Sequence, residues 1–372
     1  MKVAVVFVLA LGLHSIDAFL KVQNNALYYN NDKVFLSGAN IAWYNYGWDF
    51  GSGAYSNVKT NYQQALDEIS QAGGNSIRVW VHIDGQWSPK FDSEGYATGS
   101  DTDSLISDLG ELLDYAEQKN VFVILCLWNL AVAPTKMLPL YTDDAKLQSY
   151  LEKVLKPMAA GLKDKKALAA WDIINEPIGS LTQGLTDSNP CYDTNNLINS
   201  GADWTNVHLK PKDVLKFINL HADAIKSADP KALVTVGESS ELTATTICEK
   251  CRDMYSDSCL VGAGGKALGT IDFYQLHSYT WNGAFSTSSP FKNAAAAFKS
   301  DKPIVVGEFA TCCSELQDSA KNYQYLYNSG FSGALSWQYN EGGNCADPKS
   351  VIDQGMSAIK DYTYNGNVHV TL

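Results

Sequence analysis

The sequence predicts a single-domain α/β protein of the (β/α)8 or TIM-barrel class, on three observations. Eight short apolar segments have the composition of buried strands, and segments of helical period lie between most of them. No Pro/Ser-rich linker and no change in composition divides the chain. Strands that alternate with helices form a parallel sheet covered on both faces, and a count of eight favours a closed barrel over an open sheet.

Residues 1–18 have the composition of a secretory signal peptide. Lys2 gives a positive start, the apolar stretch VAVVFVLALGL follows, and Ala18 is a small residue suited to cleavage. The apolar stretch is shorter than the roughly 20 residues of a membrane-spanning helix. We therefore expect a secreted, extracellular protein, with no membrane association, whose catalytic barrel domain comprises residues 19–372.

The elements of the barrel follow in chain order. The segment ALYYNNDKVF (26–35) is predicted to form a small hairpin that closes the bottom of the barrel. Residues 61–73 and 105–120 have helical period, and Gly73 marks the end of the first of these helices. A third helix, 213–230, ends at a proline. The predicted strands are residues 34–43, 75–83, 121–128, 168–175, 233–237, 271–279, 303–309 and 333–337.

An even number of cysteines in an exported chain predicts disulfides. Cys126 lies in the strand pattern VFVILCLW and is predicted to be an unpaired core thiol. The other seven lie in loop-like sequence: Cys191, Cys248, Cys251, Cys259, Cys312, Cys313 and Cys345. We expect at least two disulfides, one within 248–259 and one near Cys312 and Cys313, where Cys345 is a candidate partner. No second Cys pair has zinc-finger spacing, which favours a disulfide over a metal site at Cys248 and Cys251.

Charge and aromatic content restrict the ligand. The formal net charge is −12, which argues against nucleic acid and anionic membranes as partners, because both require a basic surface. A neutral ligand is compatible with this charge. The chain has nine tryptophans and twenty tyrosines, and flat aromatic faces of this kind favour a carbohydrate.

Two of the predicted strands run directly into a glutamate. The strand in LAAWDIINEP ends at Glu176, and the strand in PIVVGEF ends at Glu308. The C-terminal ends of barrel strands form the active site of this fold, so the two carboxyl groups face each other across one mouth. Glycoside hydrolysis requires such a pair, one protonated and one ionised. The distance between them decides between retention and inversion at the anomeric carbon, and the sequence leaves that distance open.

Other polar and aromatic residues lie on the neighbouring strands. Strict alternation places Arg78, Trp80 and His82 on one side of the second strand. His277 and Tyr279 share one side of the sixth strand. Any one of these side chains alone is more simply explained by structure than by function, but their coincidence at the strand ends favours a site.

Two other functional classes are weighed against hydrolysis of glycosides. A protein that only binds polysaccharide would keep the aromatic residues and lose one carboxylate, whereas both are present. A serine hydrolase would need a Gly-x-Ser-x-Gly motif, which the chain lacks. The stretch GAGGKA near residue 262 resembles a dinucleotide-binding fingerprint but precedes a strand instead of following one.

The sequence resembles glycoside hydrolase family 5, and within it the endo-β-1,4-mannanases of molluscs and other invertebrates. The resemblance covers nearly all of residues 19–372, and its landmarks occur in family order. They are KVFLSGANIAW, AGGNSIRVWVHI, CLWN, WDIINEP, CYDT, DFYQLHSYTW, KPIVVGEF and GALSW. The combination of NEP, GEF and the His-x-Tyr of LHSY is highly specific.

The resemblance implies a retaining mechanism in which Glu176 is the general acid/base and Glu308 is the nucleophile. Arg78 and Tyr279 would hydrogen-bond Glu308 and keep it ionised, which agrees with the effect of an arginine on a neighbouring carboxylate. Pro177 disfavours a helical conformation at Glu176 and helps to fix the direction in which its side chain leaves the strand.

The resemblance also implies roles for residues that bind the sugar. Asn175 would hold the 2-hydroxyl group of the sugar at the cleavage point, and His277 would orient groups near Glu176. Trp337 would be the floor on which the sugar stacks. The candidate walls are Trp43, Trp128 and Trp281. The implied enzyme is a monomer that acts on a β-linked polysaccharide and uses no cofactor and no metal.

Three segments depart from the family pattern. Ile178 stands where close relatives have an acidic residue, EFATCCSE lacks aromatic and acidic residues after the nucleophile, and VGESSE lacks an aromatic residue. These segments line the expected substrate cleft, so the resemblance leaves the choice between mannan and glucan open. A β-1,4-glucanase of the same fold is the alternative enzyme, and a non-catalytic polysaccharide-binding relative is the alternative class.

Overall fold

The protein is a closed barrel of eight parallel strands, seen in a computed structural model that describes residues 19–134, 136–280, 283–340 and 342–372. In chain order the strands are β1 (Lys21–Gln23), β2 (Ala26–Tyr29), β3 (Asp32–Lys33), β4 (Leu36–Ile41), β5 (Ser76–Ile83), β6 (Phe122–Asn129), β7 (Leu168–Asn175), β8 (Val234–Glu238), β9 (Tyr274–His277), β10 (Ile304–Glu308) and β11 (Gly333–Ser336). Strands β4 to β11 each pair with the next, and β11 pairs with β4 to close the barrel. The (β/α)8 fold class and all eight predicted strands are confirmed.

The barrel strands are buried along nearly their whole length. Every residue of β5, β6, β8 and β10 is buried, because side chains fill the barrel on the inside and helices cover it on the outside. A nearly continuous apolar sequence supplies apolar side chains to both the inner and the outer face of each strand. A charged residue in such a strand therefore stands out, since it loses its hydration unless it has a partner.

The small sheet β1–β2–β3 closes the bottom of the barrel, as the sequence predicts. Its strands are antiparallel, with Lys21 opposite Tyr28 and Tyr28 opposite Lys33. Leu27 and Tyr29 pack in one apolar cluster with residues at the N-terminal ends of barrel strands, among them Phe122. The opposite, C-terminal mouth is the end at which barrels of this fold carry their sites.

Helices connect most of the strands. The α-helices are α1 (Tyr55–Gln71), α2 (Thr102–Gln118), α3 (Pro139–Thr142), α4 (Asp144–Tyr150), α5 (Lys156–Leu162), α6 (Pro211–Ala228), α7 (Glu241–Ala244), α8 (Asp257–Gly264), α9 (Ser319–Asn328) and α10 (Lys349–Ser357). A π-helical turn, Leu151–Leu155, joins α4 to α5. Gly73, at φ +87°, follows the end of α1, because a left-handed residue there suits glycine. No helix in the described part of the chain is long and apolar enough to cross a membrane.

The alternation of side chains along β5 breaks near its end. Arg78 points into the barrel, and strict alternation predicts the same for His82. The register between β5 and β6 shifts between Trp80 and Ile83, which is the signature of a β-bulge. His82 is fully buried towards the helices, with its ring centroid 4.8 Å from that of Trp128. The prediction that His82 shares the side of Arg78 is therefore wrong.

Three disulfides tie down the loops, which confirms the prediction of at least two. Cys191 bonds to Cys259, Cys248 to Cys251, and Cys313 to Cys345. The first two hold the β8–β9 connection, where the short helices α7 and α8 replace a long one. The third holds the loop after β10 at the barrel mouth. Cys126 is a free buried thiol, as predicted, and Cys312 is a free exposed thiol.

Titration with a thiol reagent is expected to distinguish the two free cysteines. The native protein should react at one thiol, Cys312, because Cys126 lies in the barrel interior. The denatured, unreduced protein should react at two. A Cys312→Ser variant should show no reactive thiol in the native state. Four or more reactive thiols in the denatured, unreduced wild-type protein would contradict the pairing described above.

Candidate active site

The carboxyl ends of β7 and β10 bring two glutamates together at the mouth of the barrel. Glu176 directly follows β7, and Glu308 is the last residue of β10. His277, at the end of β9, lies between them. Its Nδ1 is 2.9 Å from Glu176 Oε1 and 3.5 Å from Glu308 Oε2. One oxygen of each carboxylate and this nitrogen all lie within 4.8 Å of one another.

The backbone at Glu176 is held in an unusual conformation. Its φ of +46° and ψ of +61° are left-handed, which costs a non-glycine residue about 1–2 kcal/mol. Pro177 disfavours the right-handed helical alternative. The amide of Glu176 donates to the carbonyl of Gly237 at 2.6 Å. A Cβ on Gly237 would lie 2.7 Å from Arg78 Nη2 and 2.9 Å from His277 Nε2, so only glycine lets β8 approach the site this closely.

Glu308 accepts two strong hydrogen bonds. Arg78 Nη1 donates to Glu308 Oε1 at 2.6 Å, and the hydroxyl of Tyr279 donates to Glu308 Oε2 at 2.9 Å. The side chain of Glu308 is only 6% exposed, whereas that of Glu176 is 15% exposed. Glu308 is therefore fixed in position by two donors deep in the mouth, and Glu176 lies at its edge.

Arg78 links most of the predicted site residues. Its guanidinium also donates from Nε to Asp172 Oδ2 at 2.8 Å and from Nη2 to Asn175 Oδ1 at 2.8 Å. Burial works against its positive charge, but Asp172 and Glu308 are among the neighbours that raise the pKa of Arg78 above its usual value. The guanidinium carbon lies 4.1 Å from the centroid of Trp80, a cation–π contact. Arg78 thus remains charged in the centre of the barrel.

Burial shifts the pKa values of Glu176, His277 and Glu308, and it does so differently for each group. It raises the pKa of Glu176 to about 7, although the positive charge of Arg78 acts in the opposite direction. It lowers the pKa of His277 to about 4, so the imidazole is neutral near pH 7. Burial also raises the pKa of Glu308, but His277, Arg78 and Tyr279 oppose it. Glu176, which has fewer stabilising partners, is therefore the carboxyl group that keeps a proton near neutral pH.

The same three residues are the group whose ligand atoms are close enough to share a metal ion, within the residues described. Glu308 already accepts a hydrogen bond from the Arg78 guanidinium, so a cation there would lie next to an existing positive charge. A metal ion would also require Glu176 to lose its proton, whereas the neutral imidazole of His277 is already in the form that binds metals. The donor set suits proton transfer better than metal binding.

Comparison with known proteins assigns this arrangement to a family. A family model described as cellulase (glycosyl hydrolase family 5) matches residues 33–343. The chain belongs to glycosyl hydrolase family 5. The family resemblance seen in the sequence is thereby confirmed.

Relatives that resemble this family 5 hydrolase include two invertebrate proteins. The chain is 47% identical over 345 residues to a mannan endo-1,4-beta-mannosidase of Cryptopygus antarcticus, covering 92% of this chain and 90% of the relative. It is 44% identical over 324 residues to one of Mytilus edulis, covering 86% and 88%. The crystal structure of an endo-1,4-beta-mannanase from Eisenia fetida superimposes with a TM-score of 0.92 at 41% identity, covering 95% of this chain and 99% of that one.

Two of the four tryptophans predicted to contact substrate lie at the site of this family 5 hydrolase. Trp337 packs edge-on against Trp80, with ring centroids 5.5 Å apart, and Trp43 does so at 6.5 Å. Both are partly exposed and belong to a cluster that adjoins Arg78 through Trp80. Through Trp80, both therefore lie near Arg78, which hydrogen-bonds Glu308.

Of the other two tryptophans, only Trp128 is among the described residues. The prediction for Trp128 is wrong, because its side chain is completely buried and faces the helices. Its Nε1 lies 3.3 Å from His221 Nε2, and its ring packs against Tyr150 at 5.0 Å. The bulge in β5, which puts Ile83 opposite Trp128, accompanies this orientation. Trp281 lies outside the described residues.

Sequence reasoning missed three residues near the site of this hydrolase. Asp172 is completely buried in β7 and ion-pairs with Arg78. In the sequence, Asp172 is recognisable as a charged residue inside the otherwise apolar run LAAWDIIN. Glu238 ends β8 just as Glu308 ends β10, so LVTVGE carries the same signal as PIVVGE. Burial raises the pKa of Glu238 to about 7, and Tyr255 donates a hydrogen bond to it at 2.5 Å.

The third missed residue, Trp204, is 44% exposed and lines a cavity of about 280 Å³ beside the two carboxylates. His277 and Tyr279 form one end of this cavity. The indole Nε1 of Trp204 donates to the carbonyl of Ala131 at 2.9 Å. A Cβ on Gly179 would lie 2.6 Å from the Trp204 ring, so the glycine allows the ring to lie against the backbone next to Glu176. No pattern in the sequence singles this tryptophan out.

Proposed function

We propose that this family 5 hydrolase is a retaining endo-β-1,4-mannanase that cleaves internal bonds of mannan, glucomannan and galactomannan. The observation that carries the proposal is the cluster of Glu176, His277 and Glu308 within 4.8 Å at the barrel mouth. The 47% and 44% identity to proteins named mannan endo-1,4-beta-mannosidase supports mannan as the substrate.

The short distance between the carboxylates supports retention. Retaining glycosidases place their carboxyl groups about 5–5.5 Å apart, whereas inverting enzymes need about 6.5–9.5 Å to fit a water molecule. An oxygen of Glu176 lies within 4.8 Å of an oxygen of Glu308, which is shorter than the separation that inverting enzymes need. Glu308 is therefore proposed to attack the anomeric carbon directly.

The reaction proceeds in two displacements. In the first, a Glu308 oxygen bonds to the anomeric carbon, the glycosidic C–O bond breaks, and the proton of Glu176 moves to the departing oxygen. In the second, Glu176 takes a proton from water, the water oxygen bonds to the anomeric carbon, and Glu308 is released. The pKa of about 7 at Glu176 suits both directions of this proton transfer.

The remaining residues support the two carboxylates. Arg78 and Tyr279 hold Glu308 in position and favour its ionised form. His277, which is neutral near pH 7, faces Glu176 with Nδ1 at 2.9 Å from Oε1 and orients the acid. Asn175, which accepts from Arg78 and donates to Asn129 at 3.0 Å, is held at the strand end where it would contact the sugar 2-hydroxyl.

The two sides of the barrel mouth are proposed to bind different parts of the polysaccharide. The nucleophile lies beneath the sugar that it attacks, so Trp337 and Trp43 on the Glu308 side would stack on the sugars that remain bound. The acid lies beside the departing oxygen, so the cavity lined by Trp204 would take the leaving sugars.

Glucan is the second candidate substrate, because the matching family model bears the name cellulase. A panel of mannan, galactomannan, glucomannan and carboxymethyl-cellulose separates the two. We expect reducing ends to be released from the first three, with a rapid fall in viscosity that marks internal cleavage. Release from carboxymethyl-cellulose alone would overturn the mannanase proposal and leave the glycosidase mechanism standing.

The pH dependence of kcat/KM tests the assignment of the acid. Glu176 must be protonated to act, so activity should fall as the pH rises through about 7, and the need for an ionised Glu308 limits activity on the acidic side. A Glu176→Gln variant assayed with an activated aryl glycoside should lose this alkaline limb, because its residual activity needs no proton donor. An unchanged limb in that variant would assign the titration to another group.

We further propose that the protein is exported as a monomeric barrel of residues 19–372, without a nucleic-acid or membrane partner. The signal-like composition of residues 1–18 and the disulfides support export. N-terminal sequencing of protein secreted from a eukaryotic host should begin at or within a few residues of Phe19. Sedimentation should give the mass of one chain, and retention inside the cell would contradict the export proposal.

A further inference from the structure

Two exposed tryptophans stack on each other at the barrel mouth. Trp48 is 47% exposed and Trp87 is 36% exposed. Their ring centroids are 4.8 Å apart, and the planes differ by 10°. Trp48 lies in the loop after β4 and Trp87 in the loop after β5, so both lie at the C-terminal face of the barrel, where the active site is. The reaction proposed above uses neither residue.

Hydrogen bonds to buried side chains hold both loops in place. In the first loop the buried Asp49 accepts the amides of Tyr44 and Asn45 at 2.7 Å, and the amide of Trp48 donates to the Asn45 carbonyl. Asp49 also accepts the hydroxyl of Tyr62 from α1 at 2.8 Å. The aromatic surface is therefore held in place before any ligand arrives, which reduces the entropy lost on binding.

The second loop is held in the same manner. The Oγ of Ser88, itself buried, lies 2.8 Å from Nδ1 of the buried His82. Lys90 Nζ donates to the Trp87 carbonyl at 2.9 Å. Stacking covers one face of each indole, and both side chains remain exposed enough to contact a ligand.

The surroundings of the pair suit a neutral polyhydroxylated chain. Trp87 forms part of the wall of a groove of about 390 Å³. Polar groups of both signs line the same groove, among them Gln86, Lys90, Glu94 and Lys136. Mixed charge gives a polyanion no net attraction, whereas amide, carboxylate and ammonium groups all hydrogen-bond sugar hydroxyls.

The pair is also continuous with the active site. The loop that carries Trp48 carries Tyr46 and Trp43, whose rings meet edge-on at 5.0 Å. Trp43 in turn contacts Trp80 beside Arg78. A polysaccharide leaving the mouth on the Glu308 side therefore meets an aromatic surface that leads towards Trp48.

We propose that Trp48 and Trp87 form a second carbohydrate-binding site, which holds a β-linked hexose polysaccharide at a distance from the bond that is cleaved. The identity of that polysaccharide as mannan rests on the proposed function. The site raises the local concentration of long chains at the mouth and adds nothing for oligosaccharides too short to reach it.

Binding and cleavage by matched variants test this site. Trp48→Ala, Trp87→Ala and the double variant are compared with Tyr364→Ala, which removes an exposed aromatic residue elsewhere. In a Glu308→Gln background, affinity electrophoresis in galactomannan should show about tenfold weaker retention of the double variant and no change for Tyr364→Ala. In the active enzyme, kcat/KM should fall for galactomannan and stay constant for mannotetraose. Trp48→Phe should retain most of the binding, and thermal unfolding checks that each variant is folded.

Three results would overturn the proposal. Unchanged retention of the double variant would show that the pair binds no polysaccharide. An equal loss on mannotetraose and on galactomannan would place the pair within the cleavage site. A change in oligomeric state on sedimentation would make it a contact between copies of the chain. If the wild-type protein instead binds and cleaves only carboxymethyl-cellulose, the mannan proposal fails, and the same variants measured on that polymer still decide the second site.

Discussion

Replacement of Glu308 by Gln is expected to abolish hydrolysis of every substrate, by roughly 10⁴-fold or more in kcat. The amide has the size of the carboxylate but cannot form the glycosyl ester, so no covalent intermediate should appear with any leaving group. Activity assays and mass spectrometry of the protein after mixing with an activated 2-fluoro glycoside measure both effects. Retained labelling in this variant would remove Glu308 from the role of nucleophile.

Glu176→Gln is the matched partner of that experiment. Polysaccharide cleavage should fall about 10²–10⁴-fold, since the natural leaving group needs a proton. An activated aryl glycoside should still form the intermediate on Glu308, which then accumulates because no base activates water. Azide should rescue turnover and give a β-configured glycosyl azide. An inverted sugar product from the wild-type enzyme, followed by NMR at early times, would contradict both assignments.

Replacement of Arg78 by Met is expected to give the second largest effect, on stability as well as on rate. It would leave Asp172 and Glu308 buried without their cation, and loss of one partner of a buried ion pair costs about 3–5 kcal/mol in the free energy of unfolding. The kcat should fall by roughly 10²–10³-fold, as on removal of a hydrogen bond to a reacting charge. Denaturant unfolding and steady-state kinetics measure the two losses separately.

Two matched variants test whether these losses of stability and rate are specific to the guanidinium group of Arg78. Arg78→Lys keeps the charge, but one ammonium group cannot reproduce the planar set of donors to Asp172, Glu308 and Asn175, so it should recover stability more than rate. Arg252→Met removes the other arginine of the chain, whose guanidinium donates to the nearby backbone carbonyls of Glu249 and Cys251, and should leave both quantities nearly unchanged. A folded, fully active Arg78→Met protein would contradict the proposed support of Glu308.

Local sequence patterns failed where a single backbone irregularity intervened. The alternation of β5 predicted His82 on the side of Arg78, but the bulge between Trp80 and Ile83 turns it towards the helices. Trp128 was expected to border substrate and is instead packed under Tyr150. One extra residue in a strand reverses every later side chain, and nothing in the residue types of WVHI announces it.

Glu238 and Asp172 carry sequence signals of the same kind as those of Glu176 and Glu308. Glu238 ends an apolar strand as Glu176 and Glu308 do, yet the strand was predicted to end one residue earlier. Asp172 interrupts an apolar run at a position that must face a partner. Both are readable because a charge in a fully buried strand is costly without compensation.

The sequence by itself determined the barrel and the candidate carboxylates, because strand and helix periodicity, and the position of a glutamate at the end of an apolar run, are local properties of the chain. Only the tertiary structure decided how these parts act together. The approach of Glu176 to Glu308, the pKa difference caused by burial and Arg78, and the stacking of Trp48 on Trp87 each join residues far apart in the chain. Such distances depend on how strands tilt and loops fold over the mouth, and these are set by packing of the whole barrel.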